Sequence, residues 1–336
     1  MAAKDTPPRI TVIGEALIDL VPDERPGRYD ARPGGSPFNV AVGLARLGHP
    51  VTLMARLSGD GFGRLLRERA AAEDIDLSRA PAAAEPTTIA IAGLDDQARA
   101  TYDFYLGGTA DWQWSADEIA RIPGDTAVFH LGSLASWTPP GDEKIHDTAA
   151  RLRGEGRVLV SYDPNVRPAL LGTPDSARAR VERSVSVSHL IKASREDAEW
   201  LYPGAALGEV ARRWLDLGAL LVVITDGPDG AHLFRPGAVP GHGAGAVHRP
   251  GRRVEVADTI GAGDAFTAGL LGGLARRGLH APAALREAAP DQLSGAADEA
   301  VLVSALTCQR AGADPPSLLS GWNVGGPRYG WRHGSN

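Results

Sequence analysis

The sequence predicts an α/β fold in which a mostly parallel sheet is covered by helices on both faces. Two observations carry that expectation. Short apolar runs, several ending at a glycine or a polar residue, recur along the chain, and amphipathic stretches separate them. At 336 residues and 43% hydrophobic content the chain is long enough to bury a large core. Glycine and proline are scattered among the apolar runs, which excludes collagen-like and disordered classes.

Taken in order, residues 10–14 form the first strand and end at Gly14. A helix over 38–47 follows, with Val40, Leu44 and Leu47 at helical spacing, then a strand over 51–57 and a helix over 61–73. Further strands are expected at 127–131, 158–162, 189–192 and 220–225, separated by amphipathic segments at 142–152, 176–185 and 207–217. A strand over 253–257 leads into a helix over 265–276. Two segments break the alternation. Residues 14–32 hold a short apolar run, then Pro22, Pro26 and Gly27; residues 87–94 and 100–106 read as a hairpin around Asp95 and Asp96. Such strands form either a small separate sheet, suited to a lid or a dimer surface, or a plain edge hairpin. The segment 317–336 reads as an irregular tail.

The net charge is −6 and the pI about 5.9. No Lys/Arg-rich block appears, so nucleic-acid and membrane-surface partners are disfavoured. Lysine occurs only at Lys4, Lys144 and Lys192, a bias we attribute to genome composition. A single cysteine, Cys308, excludes an internal disulfide framework and multi-cysteine metal sites. It falls within a helical pattern and reads as a structural thiol. The apolar run around 217–225 is too short to cross a bilayer, and the N-terminus lacks a signal-peptide pattern. A cytoplasmic location is expected.

The strongest local signal is residues 258–269, Asp-Thr-Ile-Gly-Ala-Gly-Asp-Ala-Phe-Thr-Ala-Gly. It places Gly261, Ala262 and Gly263 at a helix N-terminus, where unpaired backbone N–H groups and the positive dipole end favour an anion such as a transferring phosphoryl group. Asp264 lies at the same end, where a carboxylate can take the proton of an attacking hydroxyl. An Asp N-cap after a glycine turn is the plain alternative. The stretch is neither a Walker A loop nor a dinucleotide fingerprint. A second glycine element, Gly34-Gly35-Ser-Pro-Phe-Asn39-Val-Ala41, allows close approach of a ligand to the backbone, with Pro37 suited to a first helical turn.

Together the two elements resemble both signatures of the ribokinase-like, or PfkB, family of carbohydrate kinases, and the likeness runs from about residue 9 to residue 316. It implies one doubly wound α/β kinase domain with lid segments at about 15–33 and 86–111, ATP and Mg²⁺ as cofactors, and a homodimer formed through the lid. By that resemblance Asp264 is the catalytic base and Gly261, Ala262 and Gly263 form the anion hole. Asp19, Gly34, Gly35 and Asn39 bind sugar hydroxyls. Thr225, Gly227 and Gly230 form the nucleotide loop, and Gly263 also faces the nucleotide. Ser194 and Asp197 stand at the family's N-x-x-E position, Asp197 holding Mg²⁺ through water; read on their own, they form an ordinary capping box. Asp258 and the carbonyl of Ile260 resemble a monovalent-cation site, such as one for K⁺.

Asp163-Pro-Asn165-Val-Arg167 resembles the fructokinase and 2-keto-3-deoxygluconate kinase branches, with Arg167 facing phosphates or substrate. The segment Tyr102 to Trp112 resembles the fructokinase-like lid, and Tyr105 is assigned to the sugar. Leu106 replaces a commonly found Arg there. An acidic sugar calls for a cation at its carboxylate, so the replacement tilts the expectation towards a neutral ketohexose. The implied activity is therefore a fructokinase. The alternatives are 2-keto-3-deoxygluconate kinase, another sugar or nucleoside kinase of the family, or a non-catalytic sugar-binding homologue.

Overall fold

A computed structural model describes residues 7–23, 25, 27–94, 100–236 and 246–317. In chain order the strands are β1 (Arg9–Ile13), β2 (Leu17–Pro22), β3 (Tyr29–Gly34), β4 (Val51–Met54), β5 (Leu57–Ser58), β6 (Ala82–Ala83), β7 (Ile89–Leu94), β8 (Ala100–Tyr105), β9 (Thr126–Gly132), β10 (Leu159–Asp163), β11 (Leu190–Ser194), β12 (Leu221–Thr225), β13 (Ala231–Phe234) and β14 (Ala246–Arg249). The helices are α1 (Ser36–Arg46), α2 (Gly61–Ala72), α3 (Ala116–Ile119), α4 (Gly141–Glu155), α5 (Pro168–Leu171), α6 (Pro174–Ser186), α7 (Arg195–Leu201), α8 (Leu207–Asp216), α9 (Ala262–Arg276), α10 (Pro282–Glu287) and α11 (Pro290–Cys308).

The main sheet has the order β14-β13-β12-β11-β10-β9-β1-β4. Strands β4 through β12 along that order are parallel, and β13 and β14 add an antiparallel edge. Alternation along each strand divides the core into two layers. Ile10, Val12, Val128, Leu159 and Val223 face one layer, built with α1, α9 and α11. Ile13, Phe129, Val160, Val222 and Ile224 face the other, built with α4, α6 and α8. This is the doubly wound sandwich that the alternation of segments predicts. The chain leaves β1 for β4 on one side and later returns to β9 on the other, so a topological switch point lies at the carboxyl end of β1, where such folds bind ligands.

Both irregular segments enter a second sheet of order β3-β2-β7-β8. The expected hairpin is β7 and β8, and its tip at Asp95 and Asp96 lies outside the described residues. The tail beyond residue 317 does so too. The strand expected over 253–257 does not form: this stretch has no ladder partner, and the N–H groups of Ala257 and Asp258 both donate to the Cys308 carbonyl at the end of α11.

Helix α9 is buried from Ala265 to Ala275 because it is sandwiched between α1 and α11. Two glycines permit the close α11 contact. A Cβ at Gly269 would stand 2.8 Å from Ala300 Cα, and one at Gly273 would stand 3.0 Å from Ala296 Cα. The final glycine of the 258–269 stretch is therefore a packing residue that anchors the helix carrying Asp264. Among the described residues, no helix is long and apolar enough to cross a membrane.

Candidate active site

A cleft of about 350 Å³ opens at the carboxyl ends of the central strands, between the main sheet and the smaller one. Its lining brings together residues far apart in sequence: Glu15 after β1, Asp19 on β2, Gly35, Ser36 and Asn39 at the start of α1, Asn165 and Arg167 after β10, and Gly261, Gly263 and Asp264 at the mouth of α9. Of the sequence-predicted sugar and catalytic residues, Asp19, Gly35, Asn39, Arg167, Gly261, Gly263 and Asp264 converge here with Ile260 beside them, whereas Gly34, Tyr105 and Ala262 are not part of the lining.

Asp264 is fixed by α1. Its Oδ1 accepts from Ser36 Oγ at 2.6 Å and its Oδ2 from Asn39 Nδ2 at 2.8 Å. Burial pushes its carboxyl above the usual range, while those two donors and the Lys192 ammonium pull the other way. A base held in this way is oriented and has a raised proton affinity, as proton abstraction from a hydroxyl requires. Gly261 precedes α9 with φ +73°, and a Cβ there would lie 2.5 Å from Ala313 Cβ. Only glycine meets both conditions. The amide of Ala262 donates to the Thr259 carbonyl at 3.2 Å, so it is not free to meet an anion. The first-turn amides of Gly263 and Asp264 have no acceptor among the described residues and stand open beside Gly261. This corrects the expectation for Ala262.

Around the sugar side, burial pushes the Glu15 carboxyl up to about 7 and the Asp19 carboxyl up to about 6; Asp264 raises Asp19 further and Arg167 offsets part of this. Glu15 Oε2 accepts from the Ala135 amide at 3.1 Å, tying the end of β1 to the turn after β9. Gly34 is forced by Asp19, since a Cβ there would fall 2.0 Å from the carboxylate oxygen. Asn165, at φ +40°, reaches Ser133 Oγ with its amide and accepts from Arg167 Nη1 at 2.9 Å, which aims the guanidinium at the cleft.

Strand register decides the aromatic assignment. Asp19 pairs with Ala90 and Ala90 with Phe104, so these share the cleft face of the smaller sheet, and Tyr102 joins them two residues on. Tyr105 aligns with Ile89 and Ile18 on the opposite face, and it is 60% exposed. Tyr102 and Phe104 line the cleft; Tyr105 does not. Trp112 and Trp114, grouped with them in the sequence, are buried in the second core layer.

The predicted nucleotide residues sit at the neighbouring strand ends. Register pairs Ser194 with Thr225, and Gly227 follows with φ +48° and open space where a side chain would point. Gly230 has a different role: a Cβ there would lie 2.0 Å from the Arg249 carbonyl oxygen, so it is a backbone-crossing residue. Asp197 does not fit a magnesium ligand. Its Oδ2 accepts from the Ser194 amide at 3.0 Å and its Oδ1 from the Val166 amide at 2.9 Å, a capping box that also pins the loop after β10. Asp258 likewise spends both oxygens, on the amides of Ile260 and Gly312 at 3.0 and 2.7 Å. That ties two loops together.

Sequence reasoning missed Glu15, Ser36 and the buried pair of Lys192 and Asp163, 2.8 Å apart. A lysine within an apolar strand, in a chain that otherwise uses Arg, was the available signal.

The pattern described as pfkB family carbohydrate kinase matches residues 7–319. The chain belongs to that family. A fructokinase of Rhizobium leguminosarum bv. trifolii is 35% identical over 268 residues, 79% of either chain. An aminoimidazole riboside kinase of Salmonella typhimurium is 32% identical over 282 residues, 83% of this chain and 85% of the relative. The crystal structure of a Vibrio cholerae O395 fructokinase double mutant, bound to fructose, ADP and potassium ion, matches with a TM-score of 0.79 at 27% identity, over 93% of this chain and 95% of that one. The protein is a fructokinase-like, ATP-dependent sugar kinase.

Proposed function

We propose that this kinase phosphorylates fructose, with Asp264 as general base and the amides of Gly261, Gly263 and Asp264 as the cradle for the transferring phosphoryl group. The carrying observation is the Asp264 carboxylate, held by Ser36 and Asn39 beside the open end of α9. A sugar hydroxyl placed there gives its proton to Asp264 as its oxygen attacks the γ-phosphorus of ATP in line, the bond to the bridging oxygen breaks and ADP leaves with that electron pair, and the amides meet the charge on the phosphoryl oxygens. Magnesium bound with ATP would neutralise phosphate charge. The loop carbonyls around Ile260, pinned by Asp258, suit a monovalent cation such as K⁺. The ends of β11 and β12, with Ser194, Thr225 and Gly227, receive the nucleotide.

Charge supports a neutral sugar. The cleft holds three carboxyl groups, Glu15, Asp19 and Asp264, against the single guanidinium of Arg167. Carboxylates accept hydroxyl donors from a polyol but repel an acidic sugar such as 2-keto-3-deoxygluconate. The smaller sheet carries Tyr102 and Phe104 over the cleft as a lid. Its outer face, with exposed Tyr29 and Tyr105, is the surface proposed to pair in a homodimer.

An ATP-consumption screen over fructose, ribose, 2-keto-3-deoxygluconate, aminoimidazole riboside and common nucleosides tests the substrate. Fructose is expected to give the highest kcat/KM. A tenfold preference for the acidic sugar or for a riboside overturns the assignment.

A further inference from the structure

Strand β11 is buried, with Leu190, Ile191 and Ala193 inaccessible, yet its central residue is Lys192, 5% exposed. An ammonium in such a place requires a partner. Asp163, at the end of β10, supplies it: Nζ lies 2.8 Å from Oδ2, and the same oxygen accepts from Thr267 Oγ1 of α9 at 3.2 Å. The ammonium also abuts the catalytic helix, since a Cβ on Gly263 would stand 3.2 Å from Nζ. The pair therefore sits under the first turn of α9, one residue from Asp264.

The groups facing this pair come from every neighbouring element. Asp163 reaches it from β10, Asp197 from α7, Asp264 from α9 and His130 from β9. Asp264 itself is faced by Ser36 and Asn39 of α1, by Glu15 and by Asp19. Arg167 shares the cleft with Asp264 from the loop after β10, and Lys192 is the buried cation whose field favours the ionised form of Asp264, while Asp163 acts on it in the opposite direction.

We propose that Lys192 is a positioning residue for phosphoryl transfer, held by Asp163 beneath Gly263 so that its positive charge keeps Asp264 ionised and able to accept the hydroxyl proton. The proposal rests on Asp264 being the general base. Lys192 itself touches neither sugar nor proton. Asp264 works only when deprotonated, so kcat at saturating sugar falls as pH drops through its pKa. Removing Lys192 raises that pKa; removing the charge of Asp163 lowers it.

The test is the acid limb of the kcat profile at saturating fructose, or at a saturating concentration of the best sugar from the screen, where the Asp19 contribution to sugar binding drops out. It is measured in the full-length enzyme and in Lys192→Met, Asp163→Asn and the double variant. Lys192→Met is expected to move the limb up by about one to two pH units, and Asp163→Asn to move it down. A residue that only fills space beneath α9 would scale the rate without moving the limb, or would move it the same way in both variants. Either result overturns the proposal. If Lys192→Met fails to fold because Asp163 is left buried alone, the double variant leaves no lone charge. Its limb must then lie above that of Asp163→Asn, and coincidence of the two overturns the proposal. Asp264→Asn, run alongside, separates the two assignments. A near-normal rate there removes the base itself, whereas an inactive Asp264→Asn with an unmoved Lys192→Met limb removes only the role of Lys192.

Discussion

The cleft and the neighbouring ends of β11 and β12 treat their carboxylates in opposite ways. At the sugar end Glu15, Asp19 and Asp264 are crowded together under low solvation, and all three hold their protons more tightly than usual. At the end proposed for the nucleotide, two acids are spent. Asp197 accepts two backbone amides, and Asp226 is clasped by Arg195, which holds its carboxyl below the usual range. The contrast suits the ligand proposed for each end. A polyol offers hydroxyl donors and needs free acceptors, whereas a polyphosphate is repelled by free carboxylates and is better met by backbone N–H groups at an open glycine such as Gly227.

The sharpest way to break this division is at the cradle between the two ends. Gly261→Val would force a branched side chain into a left-handed backbone position and against Ala313. Turnover is expected to fall by about 10²–10³-fold, the scale of losing oxyanion donors, with sugar binding retained. Unchanged single-turnover rates would show that the cradle lies elsewhere. At the sugar end, Asp19→Asn should raise KM for the sugar by roughly tenfold or more and leave KM for ATP unaltered. Because the Asp19 pKa is about 6, sugar binding by the parent enzyme should strengthen as pH rises through 6, and that dependence should disappear in the variant. Equal changes in both KM values would contradict the division.

At the nucleotide end, Asp197→Ala removes the acceptor of two amides, and denaturant unfolding should show a loss of about 3 kcal/mol. Turnover of the folded fraction should stay within about threefold, with an unaltered magnesium requirement. A tenfold rise in that requirement would restore Asp197 as a metal residue. The smallest effect is expected at Glu15. Its folded pKa of about 7 exceeds the ordinary value, so the folded state binds the extra proton, and the stability this confers is lost as pH rises towards and through 7. Glu15→Gln should flatten that slope, leaving the ligand-free protein roughly 2 kcal/mol more stable than the parent at pH 8 in thermal unfolding. A parallel slope in both proteins would place the titration elsewhere.

Most of the sandwich was legible because its strands are short apolar runs separated by amphipathic helices, a pattern set by local sequence. The stretch 253–257 misled for the same reason: it has strand-like composition, but it finds no ladder partner, and the N–H of its last residue, Ala257, is claimed by the carbonyl at the end of α11. The catalytic stretch was legible because Gly261 and Asp264 act through their own backbone position. Tyr105 was misassigned because composition marks an aromatic strand without fixing which face of the sheet each residue takes; the register with β7 and β2 decides that. Asp197 shows the converse, since its cap was visible beside the metal reading and the hydrogen bonds favour the cap. Glu15 and Lys192 stayed hidden because their meaning lies in partners about 120 and 29 residues away in the chain.

The central claim is that one carboxylate at the mouth of α9 removes the proton from the sugar hydroxyl. Its most direct test is Asp264→Asn, measured for turnover and, by calorimetry, for sugar and nucleotide binding. Turnover is predicted to drop by about 10²–10⁴-fold while both ligands still bind and the fold is intact. A variant that phosphorylates the sugar at close to the parent rate would contradict the account.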